Sequence, residues 1–271
     1  MLTRSKFAGL ALALSLLVPV WFLVSALGVK FGLWSWRIGL GVMIIQWGPR
    51  LLLATAVIAL VALILVLIRR PRGAWAAALV ALIIPATGLG YLGWVRAQAA
   101  NIPPIHDVAT DIADPPAPSS SLLSIRKAAE ANPVADLKAP LTAADPYRDP
   151  RFASYGSKSL GQVGHAAYPG LRTAVFDEAP TTAFAAALKA ARDMGWTVVT
   201  QDRQAGVIEA TAGTFWFGFK DDVIVRVRSG AEGQGSRIDV RSISRVGLSD
   251  LGANAKRIET YLVRVSAGLK T

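Results

Sequence analysis

The stretch SRIDVRSISRVGLSDLGANAKR, Ser236 to Arg257, holds the densest polar chemistry in the chain: Arg237, Asp239, Arg241, Arg245, Asp250, Asn254, Lys256 and Arg257. A guanidinium presents a planar fork that matches phosphate and carboxylate alike. Two arrangements use these residue types. In one, Arg241, Arg245 and Arg257 surround a phosphate, a carboxylate or a lipid head group, with Asp250 and Asn254 at the start of the following helix. In the other, the arginines bond inside the fold. Arg237, Asp239 and Arg226 from the adjoining strand then form a network, and an Asp–Arg fork fixes the turn at Arg245-Val246-Gly247. The internal network is the simpler expectation, because residues 101–271 carry 20 basic and 18 acidic side chains and so have carboxylates at hand.

The remaining candidates for chemistry are sparse, and no catalytic residue, metal or cofactor is assigned. Asp221 and Asp222 are adjacent, so on an extended chain they point to opposite sides and make a poor metal pair. Glu209 alternates with Ile208 and Ala210; it is a possible general base for a hydrolase, or a strand-face partner for an arginine. A metal site can be drawn from His106, Asp107, Asp111 and His165, but no ligand spacing supports it. Ser242 and Ser244 lie outside any nucleophile elbow. The chain has no cysteine, which excludes disulfides, thiolate nucleophiles and Cys-bound zinc. Phe215, Trp216, Phe217 and Phe219 form an aromatic run of which alternation buries about half. The rest is either an exposed edge or a surface for a membrane, a lipid or a partner.

The elements that position these residues follow from periodicity. Leu171–Phe176, Trp196–Gln201, Val207–Thr214, Val223–Arg228 and Arg237–Ser242 are expected strands. Pro180-Thr181-Thr182 opens a helix that Gly195 ends. Leu251, Ala255, Ile258, Leu262 and Val265 mark the apolar stripe of a last helix capped by Ser249 or Asp250. Asp250, Asn254, Arg257 and Tyr261 share its neighbouring face. The order β-α-β-β-β-β-α, with short turns, predicts an antiparallel sheet covered on one face by two helices. This is an α+β two-layer sandwich over residues 171–271.

Upstream, residues 101–170 form a strap or linker. Asn101–Pro118 is proline-rich and extended, with Ile102, Ile105, Val108 and Ile112 available for contacts. A short helix spans Leu122–Ala131 behind Ser121, and residues 133–160 read as surface loop.

Residues 1–100 are of another kind. The chain is 53% hydrophobic with a mean hydropathy of +0.42, too apolar for an ordinary soluble domain. Phe7–Leu27, Leu51–Ile68 and Ala74–Trp94 are each long enough to cross a hydrocarbon core of ~30 Å. Val24-Ser25-Ala26 resembles a signal cleavage site, but the further spans argue for a retained helix. The intervening segment, with Trp34, Trp36 and Trp47, suits the interface, and Ile38–Trp47 is the part able to lengthen the second span. Pro49 argues for a break there. The net charge of +11 does not indicate nucleic acid: all 18 acidic residues follow residue 100, so the C-terminal part is only +2 (20 − 18). Arg4, Lys6, Arg69, Arg70 and Arg72 outweigh Lys30, Arg37 and Arg50, which places the N-terminus in the cytoplasm. Three crossings then carry the C-terminal domain to a periplasm-type location.

The pieces IPPIHDVATDIADPP, AYPGL, GWTVV, GVIEAT, WFGFKDDVIVRV and RIDVRSISRVGLSDLGANAKRI occur in that order over residues 101–269. In them the chain resembles the bacterial and plastid family called domain of unknown function 1499. The resemblance implies a domain that often has a membrane anchor, with no established activity or cofactor. The family has an aromatic after the second proline, where Ala117 stands here. The expectation is therefore a multi-pass protein of the inner (plasma) membrane in the cell envelope. Its contacts are membrane lipids and a protein partner or an anionic or lipidic ligand. A membrane-anchored hydrolase and a structural subunit of a membrane complex are the alternatives.

Overall fold

The computed structural model describes residues 3–68, 73–141 and 150–270, which form two compact units. The first comprises Met1–Asn101 with Phe215–Gly218; the second comprises Ile102–Thr214 and Phe219–Thr271.

In the first unit α1 spans Arg4–Lys30, α2 Gly48–Ile68 and α3 Trp75–Ala100. A π-helical segment, Arg37–Trp47, runs directly into α2. Three helices are therefore long and apolar enough to cross a membrane: Arg4–Lys30, Arg37–Ile68 and Trp75–Ala100. The segment expected at the interface thus lengthens the second span, and Pro49 does not end it. Pro49 falls where the ladder switches from i→i+5 to i→i+4 bonding, so its missing N–H interrupts no run of α-type bonds. Small residues bring the backbones together: Ala8 and Ala11 of α1, Ala59 and Ala62 of α2, and Ala78 and Ala81 of α3 are buried in one cluster. Carbonyls find donors on α1. Ser25 Oγ donates to Gly39 O (2.7 Å), Trp21 Nε1 to Met43 O (3.0 Å) and Ser15 Oγ to Ala81 O (2.7 Å). Such pairing is what an apolar solvent demands of backbone polar groups. The basic residues Arg69, Arg70 and Arg72, used above for orientation, lie outside the described residues.

The second unit is an α+β domain around an antiparallel sheet. Its elements are β1 Asp107–Ala109, α4 Ser120–Ala128, α5 Leu160–Ala167, β2 Ala174–Phe176, α6 Pro180–Asp193, β3 Thr197–Asp202, β4 Val207–Gly213, β5 Lys220–Ser229, β6 Ser236–Ser244 and α7 Ala253–Leu269. The sheet order is β1-β6-β5-β4-β3, and β2 shares with β1 the outer edge of β6. Asp107 pairs with Ile243 at one end of that edge and Ala174 with Ile238 at the other. From β2 onward the element order is the expected one.

The helix-side core holds Ile208, Ala210, Val223, Val225, Val227, Ile238 and Val240 of the sheet against Phe184 and Leu188 of α6 and Ile258, Tyr261 and Val265 of α7. The Tyr261 ring stacks on Trp196 at 4.9 Å, and its buried hydroxyl donates to Ala187 O at 2.9 Å. Tyr261 is thus core rather than part of a polar helix face.

The other face of the sheet, with no expected cover, is closed by the strap and α4. Leu122 packs on Ile224 and Ile243. The strap is integral to the domain: Ile105 and Val108 are buried, and Thr110 N donates to Val240 O. α5, Leu160–Ala167, forms where residues 101–170 were expected as strap or linker, and it begins with a capping box between Ser159 and Gln162. The last helix starts later than its stripe suggested. Leu251 sits at φ +53 and is 50% exposed, and Gly252 at φ +84 precedes the first helical residue.

Candidate functional site

β6 has sheet neighbours on both edges, so alternation sends its polar side chains to two different layers. Asp239 and Arg241 face the strap; Ser242 and Ser244 face α7. Arg237, on the strap side, is exposed.

On the strap side the arginines are held by carboxylates. Arg241 forks onto Asp107 (Nε–Oδ1 2.9 Å, Nη2–Oδ2 2.7 Å) and reaches Ala135 O (2.6 Å). Arg245 forks onto Asp222 (Nε–Oδ2 2.9 Å, Nη2–Oδ1 2.6 Å) and also donates to Thr211 Oγ1. Arg126 of α4 meets the same Asp222 at 2.6 Å and donates to Asn132 O at 2.7 Å. Asp239 accepts from Arg228 (2.8 Å), Arg226 (3.4 Å) and Thr173 Oγ1 (2.6 Å). Arg228 also pairs with Asp114, whose carboxyl Arg228 and Arg226 hold below the ordinary range. Glu209, fully buried, accepts from the backbone N–H and hydroxyl of Ser119, both at 2.6 Å. Ser119 is the N-cap of α4, so the carboxylate sits at the positive end of that helix.

On the helix side Arg257 reaches Asp221, Ser242 Oγ and Asn254 Oδ1. Asn254 is fully buried; it accepts from Ser242 Oγ (2.6 Å) and donates to Ser244 Oγ (2.9 Å) and His106 O (3.1 Å). Asp250 accepts the N–H groups of Gly252 (2.8 Å) and Asn254 (2.9 Å), which tightens the turn and delays α7 by one residue past Gly252. Burial pushes the Asp250 carboxyl up, against the pull of those two donors. Burial, with Asp250 nearby, pushes the Tyr168 phenol up to about 12.

Arg241 and Arg245 therefore lie on one side of the sheet, and Asp250, Asn254 and Arg257 on the other. The five do not surround a single point. Asp221 and Asp222 divide in the same way, one to Arg257 and one to Arg126 and Arg245, as alternation requires. Chemically this is a charge-balanced frame that ties strap, sheet and last helix together. The hydroxyl of Ser242 bonds to Asn254 and Arg257, without an imidazole. His165 Nε2 lies 2.9 Å from Ala109 O and His106 Nδ1 3.4 Å from Leu248 O. Among the described residues no cluster of His, Asp and Glu could hold a metal ion.

Sequence reasoning missed Arg126, Ser119, Asp114 and Thr173 as members of this frame, and named Asp107 only as a candidate metal ligand. Arg126 had a signal, since it lies four residues after Leu122 and so shares its inward face.

A different surface feature lies where α6 begins. Pro180, Thr181, Phe184, Arg203, Gln204, Gly206 and Arg228 line a cleft of about 300 Å³. Ala179 caps α6 without a side-chain bond; Pro180 has no N–H and Thr182 N donates to Ala179 O, which leaves Thr181 N as the amide the first turn offers on that side. Arg203 lies over the Phe184 ring at 5.9 Å and takes part in no ion pair among the described residues. The Nε atoms of Arg226 and Arg228 are buried without an acceptor.

Among curated proteins, none matches the chain. The family model described as "Protein of unknown function (DUF1499)" matches residues 107–265, from the first residue of β1 into α7, and so takes in the whole Arg–Asp frame. With more than half of its 271 residues matched, the chain belongs to that family.

Proposed function

We propose that this chain is a non-enzymatic, membrane-anchored protein of the cell envelope. Its α+β domain is carried on the periplasmic side and binds an anionic group in the cleft between α6 and the β3–β4 turn. Arg241, Arg245, Asp250, Asn254 and Arg257 serve as the frame that holds this domain together, with Asp239 and Arg226, and do not grip the ligand. The observation that carries the proposal is Arg203. It lines the cleft beside the first turn of α6, exposed and without a carboxylate among the described residues. A cation so placed favours a negative occupant, and so does the start of α6. The hydrolase alternative has less support, because both donors near Glu209 belong to the cap of α4.

The test titrates inorganic phosphate against the full chain in detergent. The expected result is a rise in Tm that Arg203→Ala abolishes while leaving the ligand-free Tm within a degree or two. A Tm indifferent to phosphate, or a rise unchanged in Arg203→Ala, overturns the site. Repeating the titration with short-chain phosphatidylglycerol distinguishes a lipid head group from a free anion. Orientation is tested separately: a reporter active only in the cytoplasm, fused after Thr271, is expected to stay silent.

A further inference from the structure

The Arg–Asp frame and the cleft leave the tip of the β4–β5 hairpin unexplained. The loop there is a closed structure. Thr214 N donates to Phe219 O at 2.8 Å, Phe219 N donates to Thr214 Oγ1 at 2.9 Å, and Gly218 supplies the left-handed residue at φ +66. This closure holds out two consecutive aromatic side chains. Phe215 is 74% exposed and Trp216 57% exposed, their rings edge to face at 5.1 Å. A defined loop that shows two large apolar rings to water marks an interaction surface.

Resting on the membrane anchoring proposed above, we propose that the Phe215–Trp216 tip inserts into the interfacial layer of the bilayer that holds the chain's apolar helices. The residue types favour a membrane over a protein groove. Trp and Phe beside Lys220 are the combination that partitions to the lipid–water boundary, rings towards the acyl chains and ammonium towards phosphate. No acidic residue occurs between Ala212 and Lys220 to oppose entry into an anionic surface. The first carboxylates beyond, Asp221 and Asp222, are buried and paired with arginines. Covalent reach supplies the second argument. α3 ends at Ala100 and β1 begins at Asp107, so the connecting chain extends at most about 25 Å. A surface tethered that closely meets the bilayer at high effective concentration, which makes even a two-residue anchor sufficient.

The absence of cysteine makes the test direct. Phe215→Cys in the full chain creates a unique position for an environment-sensitive fluorophore, and Gln234→Cys, in the exposed loop after β5, is the reference. Both proteins are reconstituted into vesicles of phosphatidylethanolamine and phosphatidylglycerol, with and without lipids spin-labelled near the top of the acyl chain. The label at residue 215 is expected to be blue-shifted and quenched at least ~2-fold more than the label at residue 234, as for a side chain in the interface. Trp216→Cys is expected to give the same result and substitutes if Phe215→Cys does not fold. Equal quenching at residues 215 and 234 overturns the proposal; that outcome includes a tip buried against a protein and shielded from lipid. The result does not depend on the anion cleft, since phosphate binding at Arg203 and quenching at residue 215 are read separately.

Discussion

Asp222 lies fully buried between two guanidinium groups, with Arg126 Nη1 at 2.6 Å from one carboxylate oxygen and Arg245 Nη2 at 2.6 Å from the other. Arg126 comes from α4 and Arg245 from the end of β6, so this one carboxylate fastens the layer over the strap-side face to the sheet. Removing it leaves two cations facing each other with little water. Asp222→Asn is expected to destabilise the domain by about 3–5 kcal/mol, the usual cost of breaking a buried pair from one side. Chemical denaturation in detergent measures this. A loss under about 1 kcal/mol would show that the site is hydrated and the pair not structural.

Glu209 bears the same kind of load without a cationic partner. Its two acceptor contacts are the N–H and hydroxyl of the α4 cap. Glu209→Ala is expected to cost about 2–3 kcal/mol, and to speed proteolysis within residues 110–135 before the sheet opens. Cleavage that tracks global unfolding instead would mean that the strap is held elsewhere.

The pH dependence near neutrality is assigned to His106. Burial holds its imidazole below the usual 6.5, and Arg126 adds to this, while Asp107, Asp250 and the Leu248 carbonyl oppose it. The unfolded chain thus takes up a proton before the folded one does. The contribution is present above pH 6.5 and is lost as pH falls below it through the folded value. His106→Gln is expected to flatten stability over that window. Asp250 acts with the opposite sign at lower pH: burial raises its folded value, so its contribution is largest in acid and fades as pH rises through that value. Asp250→Asn keeps an acceptor for only one of the Gly252 and Asn254 amides, so it lowers stability at every pH, and it removes that fade. An unchanged pH profile in both variants would reject these assignments.

Gly206 closes the β3–β4 turn at φ +69, and a methyl group there would clash with Val227 O. The same carbonyl strand end is fixed by Val227 N donating to Gly206 O at 2.7 Å. Gly206→Ala is expected to cost more than about 1 kcal/mol from the left-handed backbone alone, before the clash is counted. The Tm of the full chain reports it, and Gly9→Ala in α1, where nothing lies within 4 Å of an added methyl, is the neutral comparison.

Much of this architecture was legible because it rests on local periodicity. Apolar runs define the three long helices of the first unit. The alternation of Ile238 and Val240 with Asp239 and Arg241 defines β6 and its two faces. The i, i+3 spacing of Ala255 and Ile258 defines α7. Where a boundary moved, side-chain bonds were responsible: Asp250 draws in two amides, and Leu251 is turned out of the stripe that its spacing predicts for it. The capping box at Ser159 was a local signal too, and it marks a helix within the segment read as strap or linker.

The sequence by itself determined that the chain combines three helices long and apolar enough to cross a membrane with an antiparallel α+β domain, and that basic and acidic residues are nearly balanced over residues 101–271. It could not determine which carboxylate each arginine takes. Asp107 and Arg241 are 134 residues apart and Arg126 and Asp222 96, and no spacing rule connects them. That pairing was decided by tertiary structure, when the strap added β1 to the edge of β6 and set Asp107 beside the Arg241 fork. The physical reason is desolvation. A guanidinium enclosed by strap and sheet has to find its counter-charge within the same layer, and chain topology alone dictates which carboxylate is there.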